Sequence, residues 1–182
     1  MSVLEDRLLP FIKDEAIKEF VRPFLLKPEV IETFKKTASS SSGKYHPEKA
    51  NGPWGLLWHT IKCLQAADRI IRLYEGMGKI SKTKADICRA GLILHDAWKY
   101  ETINGKTSPA TTKVHGYVGY LKIMQSPDFE HKVYIAEVVR FHMSNWNGSA
   151  EETKLAQNVK GIHLHIAMIA DMIASDKKLL GE

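Results

Sequence analysis

Apolar residues in the first 37 positions recur at intervals of three and four, which is the spacing of one face of an α-helix. Leu4, Leu8 and Phe11 begin this pattern. Proline removes a backbone donor and clashes with the preceding helical turn, so three prolines are expected to divide the stretch into short helices: Pro10, Pro23 and Pro28.

The helical pattern returns after a region rich in Ser, Gly and Pro at residues 38–55. Residues 55–75 predict an amphipathic helix ended by Gly76 and Gly78, and Ser81 is expected to cap a helix that carries Ala85 through His95. Further helices are predicted at about 114–125 and 128–143, and a last one at about 151–178, with a loop at 102–112. No segment alternates with period two, so the sequence predicts an all-α fold without an internal repeat.

The length and composition fit one globular domain, residues 1–182, because 182 residues with 44% hydrophobic positions can bury a single core. Within it we expect N-terminal helices at 1–37, a mobile loop at 38–55 that is a connector or a lid, and a helical core at 56–178. No apolar run approaches the roughly 18 to 20 residues of a membrane span, and the N-terminus carries charges where a signal peptide is apolar. A cytoplasmic protein without membrane contact is predicted.

Cysteine content and net charge add two weaker indications. Cys63 and Cys88 are too few for a disulfide framework and lack CxxC spacing, so both are interpreted as small core residues in a reduced compartment. Cys63 lies one helical turn after His59, but without a CxxC-type spacing the core interpretation is preferred to a metal contact. The formal charge of +5 favours an anionic ligand, phosphate above all.

Residues 90–101, AGLILHDAWKYE, place a His-Asp pair directly after an apolar helical run. Similar metal-ligand residue types lie at the ends or middles of the other predicted helices, in the order H, HD, H, H, D: His59, His95, Asp96, His115, His142 and Asp171. Imidazole nitrogen and carboxylate oxygen suit Mn, Fe, Co, Ni or Zn rather than Mg or Ca.

From His59 to about Ser175 this ordered set resembles the HD-domain superfamily of metal-dependent phosphohydrolases. The likeness is greatest to the HD module of bacterial 3′-to-5′ exoribonucleases and to small stand-alone HD hydrolases, all of which are compact helical bundles. The matching stretches are HTIKCLQAADRIIRLY, AGLILHDAWKYE, KVHGYVGY, FHMSNW and IADMIASDKK.

The resemblance implies two divalent metal ions. The first would be held by His59, His95, Asp96 and Asp171, and Asp96 would bridge to a second held by His115 and His142. Many members with a full second site have a His-His pair where this chain has His142-Met143, so the second ion would be weaker or completed by water. Two such ions can activate a hydroxide for attack on phosphorus. Asp96→Ala is therefore expected to abolish activity with little loss of fold.

The resemblance also implies catalytic roles for Asp96 and Lys99, with the Lys99 ammonium directed at the substrate phosphate. The lesser alternative for Lys99 is a surface lysine. Trp146 is the candidate for stacking on a nucleobase, although core packing is the default for tryptophan. The expected partner is a phosphorylated small molecule or a nucleic-acid end, and a homo-oligomer is left open. Alternatives are a small dNTP triphosphohydrolase or 5′-nucleotidase, and a non-catalytic module in which a metal pins the helices.

Overall fold

The described part of the chain is built almost entirely from α-helices. The computed structural model describes residues 2–39, 47–103, 106–108, 114–143, 150–158, 160–176 and 178–179. These residues form nine α-helices: α1 Val3–Leu8, α2 Glu15–Leu25, α3 Pro28–Lys36, α4 Gly55–Gly76, α5 Lys82–Leu94, α6 His115–Met124, α7 Lys132–Phe141, α8 Ala150–Asn158 and α9 Ile162–Ser175. The prediction of an all-α fold is confirmed.

The N-terminal helices are divided by two of the three prolines. Pro10 lies in a short 3-10 turn, Leu9–Phe11, and Pro28 is the first residue of α3, where its missing N–H is not needed. The expectation for Pro23 was wrong, because this residue lies inside α2. Pro23 removes one intrahelical hydrogen bond near the end of α2. The last turn stays helical because its apolar residues, Phe24 and Leu25, are buried in the core.

The predicted boundaries of α4 and α5 agree with the structure. α4 ends at Gly76, and Gly78 takes a positive φ of 66°, which glycine adopts without a Cβ clash. The Ser81 side chain accepts a hydrogen bond from the backbone N–H of Lys84, as expected of an N-cap. This capped helix delivers the His95-Asp96 pair at its C-terminal end.

Two other segments differ from the predictions. The region predicted as one helix from about 151 to 178 is two helices, α8 and α9, because α9 begins after Gly161. The region predicted as a loop at 102–112 contains a short antiparallel ribbon, β1 Glu101–Ile103 paired with β2 Lys106–Ser108. A three-residue strand is too short to give a recognisable period of two.

Only part of the predicted loop at 38–55 lies within the described residues. Within its described part, the Ser39 backbone N–H donates to the Ala50 carbonyl at 2.7 Å. The Trp54 backbone N–H donates to the Lys35 carbonyl at 3.2 Å, which holds the loop against the end of α3. Trp54 takes a φ of 62°, a rare value for a residue with a Cβ, immediately before α4 begins. Residues 40–46 of this loop, which was predicted to be a mobile connector or a lid, lie outside the described residues.

The core lies where α4, α5, α6, α7 and α9 pack together, α4 on α9 and α5 on both α7 and α9. Two glycines permit close approaches between these helices. A Cβ on Gly91 would lie 2.3 Å from the Val138 side chain, and a Cβ on Gly116 would lie 2.6 Å from the Arg140 carbonyl oxygen. These contacts bring the C-terminal ends of α5 and α7 and the first turn of α6 close together. Among the described helices, none combines the length and the apolar character that a membrane crossing requires.

Candidate metal centre

The side chains singled out by the order H, HD, H, H, D come from five helices and meet in the interior. His59 lies in the first turns of α4, and Asp171 lies in α9. His95 and His142 directly follow the last residues of α5 and α7, and His115 is the first residue of α6. All four histidines are buried, as is Asp96.

The two helix-end histidines are oriented by the helices that precede them. The last carbonyls of a helix have no partner within it, and a side chain can satisfy them. The Nδ1 of His95 lies 2.6 Å from the Leu92 carbonyl oxygen, and the Nδ1 of His142 lies 2.7 Å from that of Val139. A carbonyl only accepts, so Nδ1–H is the donor in both rings, and the Nε2 lone pairs face the cluster.

One group of donor atoms gathers around the Nε2 of His59. That nitrogen lies 3.4 Å from His95 Nε2 and 3.0 Å from Asp171 Oδ1. The His95 Nε2 lies 3.9 Å from the same Asp171 oxygen. The Sγ of Cys63 completes this group at 3.5 Å from His59 Nε2.

A second group surrounds the carboxylate of Asp96. Its Oδ1 lies 2.8 Å from His115 Nε2 and 3.7 Å from His142 Nε2, and the two nitrogens are 3.0 Å apart. Its Oδ2 lies 3.6 Å from His95 Nε2 and 4.0 Å from His59 Nε2. Asp96 therefore stands between the two groups, as a bridging carboxylate would.

The charges in the cluster are set by its neighbours. Burial favours the neutral form of both carboxyls, but Lys99, His95 and His115 hold the pKa of Asp96 well below its ordinary value, and His59 holds the pKa of Asp171 below its own. Burial, with His95 and His115 close by, lowers the pKa of His142 to about 3. Near neutral pH the cluster thus presents ionised carboxylates and a neutral His142, the forms in which these groups bind metals.

These buried groups could hold a metal ion. Bonds of about 2.0 to 2.3 Å to nitrogen, oxygen and sulfur place neighbouring donors about 3 to 3.6 Å apart, and the shorter separations here fall in that range. Asp96 Oδ1 is buried and has no partner in hydrogen-bonding geometry among the described residues, although His115 Nε2 is only 2.8 Å away. A cation shared by this oxygen and the imidazole nitrogens would satisfy it, so the donor set fits a divalent ion.

Lys99 and Asp171 are the parts of the cluster nearest to solvent. Their side chains are 15% and 18% exposed, whereas those of the histidines are at most 2% exposed. The Lys99 ammonium donates to Asp96 Oδ2 at 2.8 Å, and this contact raises the pKa of Lys99 against the effect of burial. A ligand that approaches from solvent therefore meets the Lys99 ammonium and the Asp171 carboxylate before it meets the histidines.

The sequence interpretation of Cys63 and Trp146 has different outcomes in the structure. Cys63 was interpreted as a core residue; it is buried but also lies beside His59, and its position four residues along the same helix was the signal. Trp146, the predicted base-stacking residue, lies outside the described residues. Ion binding by each of the predicted ligands stays a prediction.

The chain was compared with protein-family models, curated proteins and solved structures, and no match was found in any of these comparisons.

Proposed function

We propose that this protein is a metal-dependent phosphohydrolase of the HD-domain superfamily that cleaves a phosphoester of a nucleotide or of an oligonucleotide end. The observation that carries the proposal is the meeting of six ligand-type side chains from five helices, in the chain order H, HD, H, H, D, with the Asp96 carboxylate close to all four histidines. A structural salt bridge or a core histidine needs far fewer such groups in one place.

The charge of the cluster supports a phosphate substrate. Asp96 and Asp171 contribute −2 and Lys99 contributes +1, so these three side chains together contribute −1 before an ion binds. Divalent ions held there would make the cluster positive and would supply Lewis acidity toward a phosphoryl oxygen together with a nucleophile at neutral pH. An anionic substrate is then favoured over a neutral one.

The chain's own residues supply the remaining parts. His95 and His142 are fixed through Nδ1, so their Nε2 atoms hold one orientation during turnover. Asp96 links the two donor groups, so it sets the spacing between any ions they hold. Lys99, next to Asp96 and partly exposed, can contact the non-bridging oxygens of a bound phosphate and offset charge in the transition state.

The runner-up is a small dNTP triphosphohydrolase or 5′-nucleotidase built on the same cluster. In nucleotidases of the superfamily a glutamate often stands where this chain has Lys99, which favours the diesterase or exonuclease type. A non-catalytic module would use the same ligands to bind a metal that only stabilises the packing of the helices. Lys99 would then have no catalytic role.

The test is a panel of dNTPs, nucleoside monophosphates, cyclic dinucleotides and short oligonucleotides, each incubated with protein loaded with Mn²⁺, Co²⁺ or Zn²⁺. Products are identified by mass spectrometry. Lys99→Met should lower kcat/KM on the best substrate by roughly 10²-fold, the scale of losing one preorganised charge. Lys122→Met, an exposed lysine of α6, is the matched control and should leave it unchanged. Absence of product from every substrate and every metal would refute hydrolase activity and leave the metal-pinned module.

A further inference from the structure

Cys63 occupies a position in the cluster that the HD pattern does not account for. It lies one helical turn after His59 on the same face of α4, and both side chains are buried. Its Sγ lies 3.5 Å from His59 Nε2 and 3.9 Å from Asp171 Oδ1. The thiol therefore faces two atoms of the proposed first metal site.

The four donors His59 Nε2, His95 Nε2, Asp171 Oδ1 and Cys63 Sγ form a tetrahedron. Around a tetrahedral ion with bonds of about 2.0 to 2.1 Å to nitrogen and oxygen and about 2.3 Å to sulfur, the donors are about 3.3 to 3.6 Å apart. Here His59 Nε2 lies 3.0 Å from Asp171 Oδ1, 3.4 Å from His95 Nε2 and 3.5 Å from Cys63 Sγ. Asp171 Oδ1 lies 3.9 Å from both Cys63 Sγ and His95 Nε2, and the last two atoms lie within 4.8 Å of each other. Five of the six separations therefore lie within a few tenths of an ångström of those expected around one ion.

The carboxylate of Asp96 is less well placed for the same corner of this tetrahedron. Its Oδ2 lies 4.0 Å from His59 Nε2, farther than the sulfur, and it accepts a hydrogen bond from Lys99 at 2.8 Å. Its Oδ1 points to His115 at 2.8 Å. Although Oδ2 also lies 3.6 Å from His95 Nε2, its contacts with Lys99 and His115 leave Asp96 as the link to the second group of donors, and the sulfur is the donor nearer to His59 Nε2.

We propose that Cys63 is a thiolate ligand of the ion held by His59, His95 and Asp171. The S–H bond breaks as the sulfur–metal bond forms, and the proton passes to solvent. A thiolate favours borderline-soft ions, so this position selects Zn²⁺, Co²⁺ or Fe²⁺ over Mn²⁺ and Mg²⁺. The inference concerns the identity of the ion and holds whatever the substrate is.

The experiment follows Co²⁺ binding to metal-free protein by absorption spectroscopy. A thiolate ligand gives a sulfur-to-cobalt charge-transfer band in the near ultraviolet, and a tetrahedral site gives intense visible bands. The chain has only two cysteines, so the band can arise from Cys63 or Cys88 alone. Cys88 is also buried and free, which makes Cys88→Ser the matched control.

We expect the charge-transfer band in the wild type and in Cys88→Ser, and its loss in Cys63→Ser. Zn²⁺ binding by Cys63→Ser should weaken by at least about 10-fold, since even changes behind the direct ligands cost that much. Mn²⁺ binding should change much less. Circular dichroism of the metal-free variants checks that the helices persist.

A wild type that binds Co²⁺ without the band would overturn the thiolate proposal while leaving the metal centre and the proposed function in place. A wild type that binds no Co²⁺, Zn²⁺ or Mn²⁺ would overturn both. If Cys63→Ser fails to fold, the wild-type and Cys88→Ser spectra still decide whether this sulfur is a ligand.

Discussion

Replacing Asp96 with alanine should destabilise the metal-free protein, because its carboxylate is the counter-ion of a mostly buried lysine. The Lys99 ammonium lies 2.8 Å from Asp96 Oδ2, and the two side chains are 15% and 1% exposed. Removing one partner of a buried ion pair costs about 3 to 5 kcal/mol, since the other charge remains out of water. The sequence alone predicted little loss of fold for this variant, and the contact with Lys99 reverses that expectation.

The magnitude can be measured by urea denaturation of EDTA-treated protein, followed by circular dichroism of the helices. A loss of about 3 to 5 kcal/mol corresponds to a fall in Tm of roughly 6 to 20 °C in a domain of this size. The double variant Asp96→Ala with Lys99→Met should recover part of the loss, because no charge of the pair then remains buried. The control is Glu32→Ala, which removes the partner of Lys36 from an ion pair whose two side chains are both exposed, and it should cost little.

Two results would refute this reasoning. If Asp96→Ala were as stable as Glu32→Ala, the Lys99 ammonium would be solvated well enough to need no counter-ion. If the losses of Asp96→Ala and Lys99→Met simply added in the double variant, the two side chains would not be coupled. Either outcome would return Lys99 to the interpretation of a surface lysine.

Two further predictions concern the histidines. His142→Ala should lower bound metal by one ion, measured by elemental analysis under saturating metal, while the ion near His59 stays bound; one ion in the wild type would contradict the two-ion arrangement. In the folded, metal-free protein His142 is neutral near pH 6.5 because its pKa is lowered to about 3. In the unfolded chain the same imidazole has its ordinary pKa of 6.5 and takes up a proton below that pH. Stability should therefore fall as the pH drops from about 6.5 toward 3, by up to about 1.4 kcal/mol per pH unit, and His142→Gln should flatten the curve measured by urea denaturation; an unchanged slope would show that another group carries the effect.

The sequence by itself determined most of the local structure. Helical periodicity and the Ser81 cap predicted the positions of α4 and α5. The apolar run that ends in His95-Asp96 indicated metal-ligand side chains at the end of a core helix. These features depend on neighbours within a few residues, so the sequence contains them directly. Pro23 and the break before α9 were missed because packing of apolar residues outweighs one lost hydrogen bond, and because helical periodicity continues across Gly161.

Only the tertiary structure decided which of the candidate side chains touch one another. Helical spacing puts Cys63 on the face of His59, but the distance from its sulfur to Asp171 depends on how α4 packs against α9. Likewise, the sequence places Lys99 after Asp96 without saying whether its ammonium faces solvent or that carboxylate. The crossing of α5, α6 and α7 depends on close approaches at Gly91 and Gly116, contacts between residues far apart in the chain. Periodicity determines the face of a helix on which a side chain lies, whereas the packing of one helix on another determines what that side chain meets.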